Sequence, residues 1–380
     1  MWGKIVITVF YAAYYGNISR IKTENIKANM KEKILIAMSG GVDSSVAALL
    51  LKEQGYDVHG VTMILHGNEF QQELLPEVGD TVEKAREVCG YLRIGHRVLD
   101  LRREFQGEVI HPFIREYARG RTPNPCVLCN RHIKFGRLLR YAIDENFAAL
   151  ATGHYAASGR RENRYCLTRP RDFQKDQTYF LARIDVDALS KILFPLADYT
   201  KNEVKDMALH AGLPLRERKE SQDICFIPPR MHHDWLGDRL QDSKRGPIVD
   251  QQGRELGIHR GIPFYTIGQR GGLGISHPTP LYVLRIDAAK NKIVVGKKED
   301  LLQKRVVAND LNFFRREWPP QVYAKIRYRK KESSCRVVFH DHTAHTVFDE
   351  AQEAVTPGQL IVWYDRDEVL GSGIIEEGLS

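Results

Sequence analysis

The sequence predicts an α/β protein: a doubly wound parallel sheet in its N-terminal part, then a small central domain, then a C-terminal all-β barrel. From Ile34 onward, short apolar, β-branched runs alternate with longer stretches of helical period, the pattern of repeated βαβ units. Residues 228–302 are rich in Gly and Pro and carry only short strand signals. From about Val306 the pattern changes to short alternating runs, at Val322–Tyr328, Cys335–Phe339, Leu360–Tyr364 and Ile374-Ile375. The boundaries read from these shifts are 31–227, 228–302 and 303–380, with 1–30 an extension outside the compact protein.

The extension differs from the rest. Ile5–Tyr15 is apolar and aromatic behind a single Lys4, faintly like a secretory leader, yet no small-residue cleavage site follows. Glu24 is its one acid, as in a transit peptide, but arginine is scarce. The simplest reading is an upstream extension of the reading frame, with Met30 preceding the compact chain.

Ile34–Ala37 reads as a buried strand, and Val46, Leu49 and Leu50 then fall at helical spacing until Gly55. Ser39-Gly40-Gly41-Val42-Asp43-Ser44 is therefore a strand-to-helix turn. Its glycines let backbone approach a bound group, and the free N–H groups of the helix start favour an anion. Two glycines would also serve an ordinary βα turn. Ser39, Asp43, Ser44 and Ser45 go beyond that need, with three hydroxyls and a carboxylate suited to phosphate and Mg2+. The G-x-x-x-x-G-K-[ST] pattern is absent, so this is a phosphate turn of another type.

Val58–Leu65 reads as the second strand. An acidic loop, 67–80, leads to a helix with Val82, Ala85, Cys89 and Leu92 on one face, so Cys89 is expected in the core. His96–Leu99 and Ala148–Thr152 read as further strands and Phe105–Ala118 as a helix. Ligands of such sheets bind at the carboxyl ends of the strands, here the serine-glycine turn, Met63 and Gly153-His154.

The segment Arg121–Phe135 holds Pro123, Pro125 and the pair Cys126 and Cys129. A helix beginning at Pro125 places the two thiols one turn apart near Arg131, His132 and Lys134, where they are expected to be acidic and reactive. A thioredoxin-type redox pair and a structural zinc site are the alternatives, and zinc requires four ligands. Cys225, in Ile224-Cys225-Phe226-Ile227, is the third thiol with a comparable setting. Thr200–Ala211 reads as an amphipathic helix, and the charged stretch 216–220 as a mobile loop delivering Cys225.

Composition bounds the function. The 380 residues are 43% hydrophobic and 27% charged, as in globular proteins, with no apolar run long enough to span a membrane. A net charge of +8 is compatible with a polyanionic partner. Six cysteines do not make a secreted disulfide framework, so a reducing cytoplasm is expected. In the barrel, Lys325, Arg327, Arg329, Lys330 and Lys331 interleave with Tyr323 and Tyr328, a mix of charge and stacking faces used on RNA, or else a solvated strand face.

The S-G-G-x-D-S turn resembles the pyrophosphate loop of ATP pyrophosphatases. Together with T-P-N-P-x-x-x-C-N-x-x-I-K-F, A-T-G-H-Y, Lys175-Asp176-Gln177, Phe194-Pro195-Leu196, Ile224–Ile227, Tyr265–Arg270 and Thr356–Gln359, it occurs in the order found in the tRNA-specific 2-thiouridylases. The resemblance covers about residues 32–376. It implies ATP-dependent replacement of the 2-oxygen of the wobble uridine by sulfur, with Mg2+, a tRNA anticodon stem-loop as substrate, and a sulfur donor such as a cysteine desulfurase or relay protein.

Carried over by position, the resemblance puts ATP contacts on Ala37, Met38, Ser39, Gly40, Gly41, Val42, Asp43, Ser44, Met63 and Gly153. Cys129 becomes the nucleophile and Cys225 the persulfide carrier. Implied tRNA contacts are Asn124, Pro125, Cys126, His154, Lys175, Asp176, Gln177, Arg327, Tyr328 and Gln359. Cys126 departs from the commoner pattern, an aspartate, which puts general acid/base work there in doubt. Thiols at 126, 129 and 225 would suit a [4Fe–4S] cluster with one open iron, the expectation preferred here over a metal-free persulfide route. Another adenylating pyrophosphatase, or a metal-bearing RNA-binding protein without ATP chemistry, is the alternative function.

Overall fold

Strand β1, Lys33–Ala37, is the centre of a five-stranded parallel sheet. Its alternation divides the core in two: Ile34 and Ile36 enter one buried cluster and Leu35 the other. Sheets covered on both faces need strands apolar on both faces, and KILIA satisfies that. The computed structural model describes residues 32–67, 76–215, 224–228, 231–241 and 243–379. The expectations for residues 1–30, for 68–75 of the acidic loop and for the loop 216–220 lie outside the described residues.

Strands β2 (Asp57–Ile64), β3 (Gly95–Asp100), β4 (Ala149–Ala151) and, after the hairpin β5 (Ala157–Arg161) and β6 (Arg164–Thr168), β7 (Ile192–Leu193) give the order β3-β2-β1-β4-β7. The order reverses between β1 and β4, which opens a crevice at their carboxyl ends. Helices α1 (Val42–Glu53) and α2 (Pro76–Leu92) cover the Ile34 face, with Cys89 buried among Ile36, Val58 and Val88.

Two further helical runs are mixed. Run α3, 102–118, is α over Arg102–Phe105, π over Gln106–Ile110 and α over His111–Ala118. Run α4, 125–144, is α over Pro125–Leu128, π over Cys129–Leu138 and α over Leu139–Asp144, and it packs Phe135, Leu138 and Ala142 on the Leu35 face. Helix α5, Lys201–His210, returns to the Ile34 face and starts with a complete capping box, Thr200 and Glu203.

Helix α6 (His232–Arg239) leads to a small sheet of β8 (Gly246–Val249), β9 (Glu255–His259), β10 (Tyr282–Asp287) and β11 (Lys292–Gly296), in the order β10-β11-β8-β9. Strands β12 (Leu302–Phe313), β13 (Val322–Lys325), β14 (Ser333–His340), β15 (Thr343–Glu353), β16 (Leu360–Asp365) and β17 (Glu368–Leu379) close into an antiparallel six-stranded barrel through the β12–β17 pairing. Trp363, Phe348 and Leu370 fill its interior. Hairpin β5–β6 joins this sheet at Glu368–Thr168.

One expectation changes. The barrel begins at Leu302, and the basic stretch expected as a strand over Val322–Tyr328 lies on its second strand. That strand ends at Lys325, and Ile326–Lys330 is a turn. Arg327 is drawn inward there, donating to the carbonyls of Ala354 and Ile267 and to Thr356 Oγ1, so the chain cannot continue flat.

Candidate active site

The turn after β1 sits at the crevice. Gly40 adopts φ 68°, and a Cβ there would meet Lys84 Cβ at 2.6 Å. Gly41 caps α1 without a side-chain bond to its N–H groups, so the first turn keeps open donors. Ser44 and Ser45 hydroxyls donate to the Gly41 carbonyl, and Ser39 and Ser44 hydroxyls bond one another at 3.2 Å, which fixes the loop. Gly153, at the end of β4, lies so close that a Cβ would stand 2.8 Å from Asp43 C and Ser44 N. Met63 is half-buried at the end of β2, in contact with both neighbouring apolar clusters.

Sequence reasoning missed one residue beside the turn. Lys201, 7% exposed at the start of α5, places Nζ 2.7 Å from both Asp43 carboxylate oxygens. Tyr155 donates its phenol to Asp43 Oδ1 at 2.9 Å. The carboxylate expected to hold Mg2+ is thus engaged by an ammonium and a phenol. A lysine that opens an amphipathic helix carries no sequence signal of such a role.

The thiol segment lies across the same crevice. Asn124 caps α4 by accepting from the Val127 N–H, and Pro125 occupies the first helical position. Bonding of i to i+5 in the π segment sets Cys129 and Lys134 one turn apart. Lys134 Nζ lies 3.3 Å from His154 Nε2, and His154 Nδ1 lies 2.8 Å from Thr152 Oγ1. Desolvation, with Lys134 beside it, holds His154 well below its ordinary range and therefore neutral. Lys134 can only donate, so Nε2 accepts and Nδ1–H points to Thr152.

Cys129 is buried with Leu101, Phe105, Val109 and Ile133, while Cys126 and Cys225 reach the crevice surface. Phe226 packs edge-on against Phe105 and Phe113 and anchors the Cys225 segment beside Cys129. The three thiols influence one another electrostatically. Their expected acidity is not found: the crowded walls raise Cys126, push Cys129 up to about 11 and Cys225 up to about 12. Lys134 opposes the shift in all three, but desolvation is the larger effect.

Among the described residues no three His, Cys, Asp or Glu side chains are grouped so as to hold a metal ion. The cluster expected on Cys126, Cys129 and Cys225 therefore finds no ready ligand set among the described residues.

Residues 32–229 match the family model described as the tRNA methyl transferase HUP domain, 233–297 its PRC-barrel domain, and 303–375 the aminomethyltransferase beta-barrel domain. The chain is 51% identical over 358 residues to the tRNA-specific 2-thiouridylase MnmA 1 of Syntrophus aciditrophicus (strain SB), covering 94% of this chain and 96% of that one. The chain belongs to the tRNA-specific 2-thiouridylase family. Two other members are similar over nearly their whole length: MnmA of Syntrophomonas wolfei subsp. wolfei, 46% identical over 90% of this chain and 99% of that one, and MnmA of Clostridium botulinum (strain Alaska E43 / Type E3), 44% identical over 91% and 98%.

Several residues that the family resemblance offers to tRNA are engaged within this chain. Asp176 is buried and accepts from Thr178 N–H and Oγ1–H. Gln177 bonds Tyr155 through side chain and backbone. Gln359 donates to the Thr122 carbonyl at 2.7 Å, and Thr122 N–H bonds the Pro357 carbonyl, so the barrel grips the loop that carries Cys126. Arg121 strengthens this grip with a two-pronged bond to Glu376. Tyr328 packs against Phe180 with centroids 4.4 Å apart and the rings tilted by 41°. No helix among the described residues is long and apolar enough to cross a membrane.

Proposed function

We propose that this chain replaces O2 of the wobble uridine of tRNA by sulfur at the expense of ATP. The observation that carries this reading is the pair His154-Tyr155 at the end of β4. His154 bonds Lys134 on the thiol helix, and Tyr155 bonds Asp43 on the phosphate turn, so two consecutive residues tie an anion site to a thiol site.

The uridine leaves its stack to enter the crevice, as bases acted on by enzymes do. Its O2 attacks the α-phosphorus of ATP, and the departing pyrophosphate is stabilised by the open N–H groups of α1, with Lys201 beside them. Mg2+ bound with the nucleotide would supply charge neutralisation at the phosphates. Asp43 is held by Lys201 and Tyr155, so its carboxylate is already engaged beside the phosphate turn.

The terminal sulfur of a Cys225 persulfide attacks C2, and the C2–O bond breaks as AMP leaves. Cys129 thiolate then attacks Cys225 Sγ. The sulfur–sulfur bond to the base breaks, its electron pair stays on the sulfur bound to C2, and a Cys129–Cys225 disulfide remains. A dithiol reductant restores the thiols, and a persulfide-bearing donor protein reloads Cys225. Lys134 supplies positive charge to both sulfurs. Six free cysteines fit a reducing, cytoplasmic setting.

The test measures pyrophosphate release and 2-thiouridine together, with tRNA, ATP and a persulfide donor. Release that requires tRNA and matches thiouridine formed is the expected result. Release without tRNA, or tRNA that gains no sulfur, overturns the reading.

A further inference from the structure

Three consecutive residues before the thiol helix, Gly120, Arg121 and Thr122, are held by separate parts of the chain. Gly120 adopts φ 70°, and a Cβ there would meet Ile286 Cγ2 of β10 at 2.5 Å. Thr122 Oγ1 donates to Thr266 Oγ1 of the central domain at 3.3 Å. The barrel turn Thr356–Gln359 takes both the N–H and the carbonyl of Thr122. Gly358 of that turn, at φ 90°, lies so close that a Cβ would stand 3.1 Å from Thr122 N, C and O.

Arg121 closes the clamp. Its side chain, 19% exposed, donates from Nη1 and Nη2 to the two Glu376 carboxylate oxygens of β17 at 2.7 and 2.8 Å, and from Nη2 to the Ile375 carbonyl at 3.2 Å. Nε donates to Glu116 Oε2, near the end of α3, at 2.7 Å. Two carboxylates from distant elements thus share one planar cation, and without it they flank the same gap and repel.

The clamp is coupled to the sulfurs by a stiff segment. Only Pro123, Asn124 and Pro125 stand between Thr122 and Cys126; both prolines are buried with fixed φ, and Asn124 accepts from Val127 N–H. A shift at Arg121 therefore moves the start of α4, which carries Cys126 and Cys129. The phosphate turn is anchored from another side, by Lys201 on α5 and Tyr155 after β4. We propose that Arg121 is a positioning residue for the sulfur-transfer half of the reaction: its fork on Glu376 sets the thiol helix against the barrel, and the ATP half proceeds without it. This deepens the thiolase reading and rests on it.

In a chain without the clamp, the adenylylated uridine forms but sulfur arrives late. Water attacks C2 in place of the persulfide, the C2–O bond to phosphate breaks, and AMP leaves with the former O2. One proton of the water returns to N3 and the other goes to solvent, so uridine is regenerated and ATP is consumed without thiolation.

The experiment counts pyrophosphate released per 2-thiouridine formed, with tRNA, ATP and a persulfide donor, in the wild type, Arg121→Met, Arg121→Lys, Glu376→Gln and the Arg121→Met/Glu376→Gln double variant. Unfolded molecules make neither product, so the ratio reads the folded fraction alone. Arg121→Met should form thiouridine about 10- to 100-fold more slowly and keep most of its tRNA-dependent release, which raises the ratio by about the same factor. Lysine keeps the charge without the fork, so Arg121→Lys should fall between that variant and the wild type. Glu376→Gln should raise the ratio less than Arg121→Met does, and adding it to Arg121→Met should raise the ratio no further. A wild-type ratio in Arg121→Met, whether both products fall together or neither does, overturns the proposal, and so does full additivity in the double variant. Absence of tRNA-dependent release in the wild type strikes the thiolase reading instead.

Discussion

Lys201 Nζ stands 2.7 Å from both carboxylate oxygens of Asp43, although 158 residues separate them in sequence. The pair joins the start of α5 to the start of α1 at the mouth of the phosphate turn. A buried ammonium there is already desolvated, so it can meet developing negative charge with little reorganisation. Lys201→Met should lower tRNA-dependent pyrophosphate release by about 100-fold or more, with tRNA affinity nearly unchanged. Asp43→Ala should also abolish release, and should cost more stability, at least about 1 kcal/mol, because it strands a buried lysine rather than a half-exposed carboxylate. Thermal melts and pyrophosphate release on the two variants decide this, and normal turnover in either removes the turn from the chemistry.

The thiols set a pH dependence. Raised values mean that the protonated forms of Cys129 and Cys225 persist in the folded protein until about 11 and about 12, and the thiolate fraction grows with pH below those values. Alkylation of either thiol in the native chain should therefore speed up about tenfold per pH unit from 7 to 10. In the unfolded chain the same rates should level off near the ordinary thiol value, about 8.5. Native rates that level off there would mean that the crevice walls do not desolvate the sulfurs.

Arg327 tests how far position in a motif predicts contact. Its guanidinium donates to the carbonyls of Ile267 and Ala354 and to Thr356 Oγ1, linking the central domain to the barrel. Arg327→Ala removes the donor of the Ile267 carbonyl and two further bonds at Ala354 and Thr356, which still bond each other, and should destabilise the protein by about 1–3 kcal/mol. The salt slope of tRNA binding should stay near the wild-type value, where a direct phosphate contact would reduce it by about one. A stable variant with a reduced slope would return Arg327 to the RNA surface.

These residues show where the sequence was legible. The parallel sheet followed from short apolar runs alternating with helical stretches, helix α5 from its amphipathic pattern, and the crevice from the strand ends that carry the serine-glycine turn and Gly153-His154. The π segment of α4 was not legible, because CNRHIKFGRL has an ordinary helical composition and its i to i+5 bonding comes from packing against α3 and the sheet. Nor was thiol acidity. The helix start and nearby cations argued for acidic sulfurs, but the apolar shell of Leu101, Phe105 and Val109 around Cys129 comes from a distant segment.

Cys126 separates the two sulfur chemistries. It reaches the crevice surface one helical turn before Cys129, and it has no grouping with two further ligands among the described residues. In the persulfide route it is a neighbour: its loss removes no sulfur that bonds to the base, to Cys225 or to Cys129. Cys126→Ala should therefore keep substantial thiolation with a persulfide donor, and Cys126→Asp should behave similarly. Cys129→Ala should stop at a base–Cys225 adduct that mass spectrometry can detect, and Cys225→Ala should make no thiouridine at all. Protein prepared without oxygen should thiolate tRNA with no requirement for iron. Iron and sulfide bound in stoichiometric amount, lost together with activity in Cys126→Ala, would overturn this route and restore the cluster, with Cys126 as a ligand rather than a bystander.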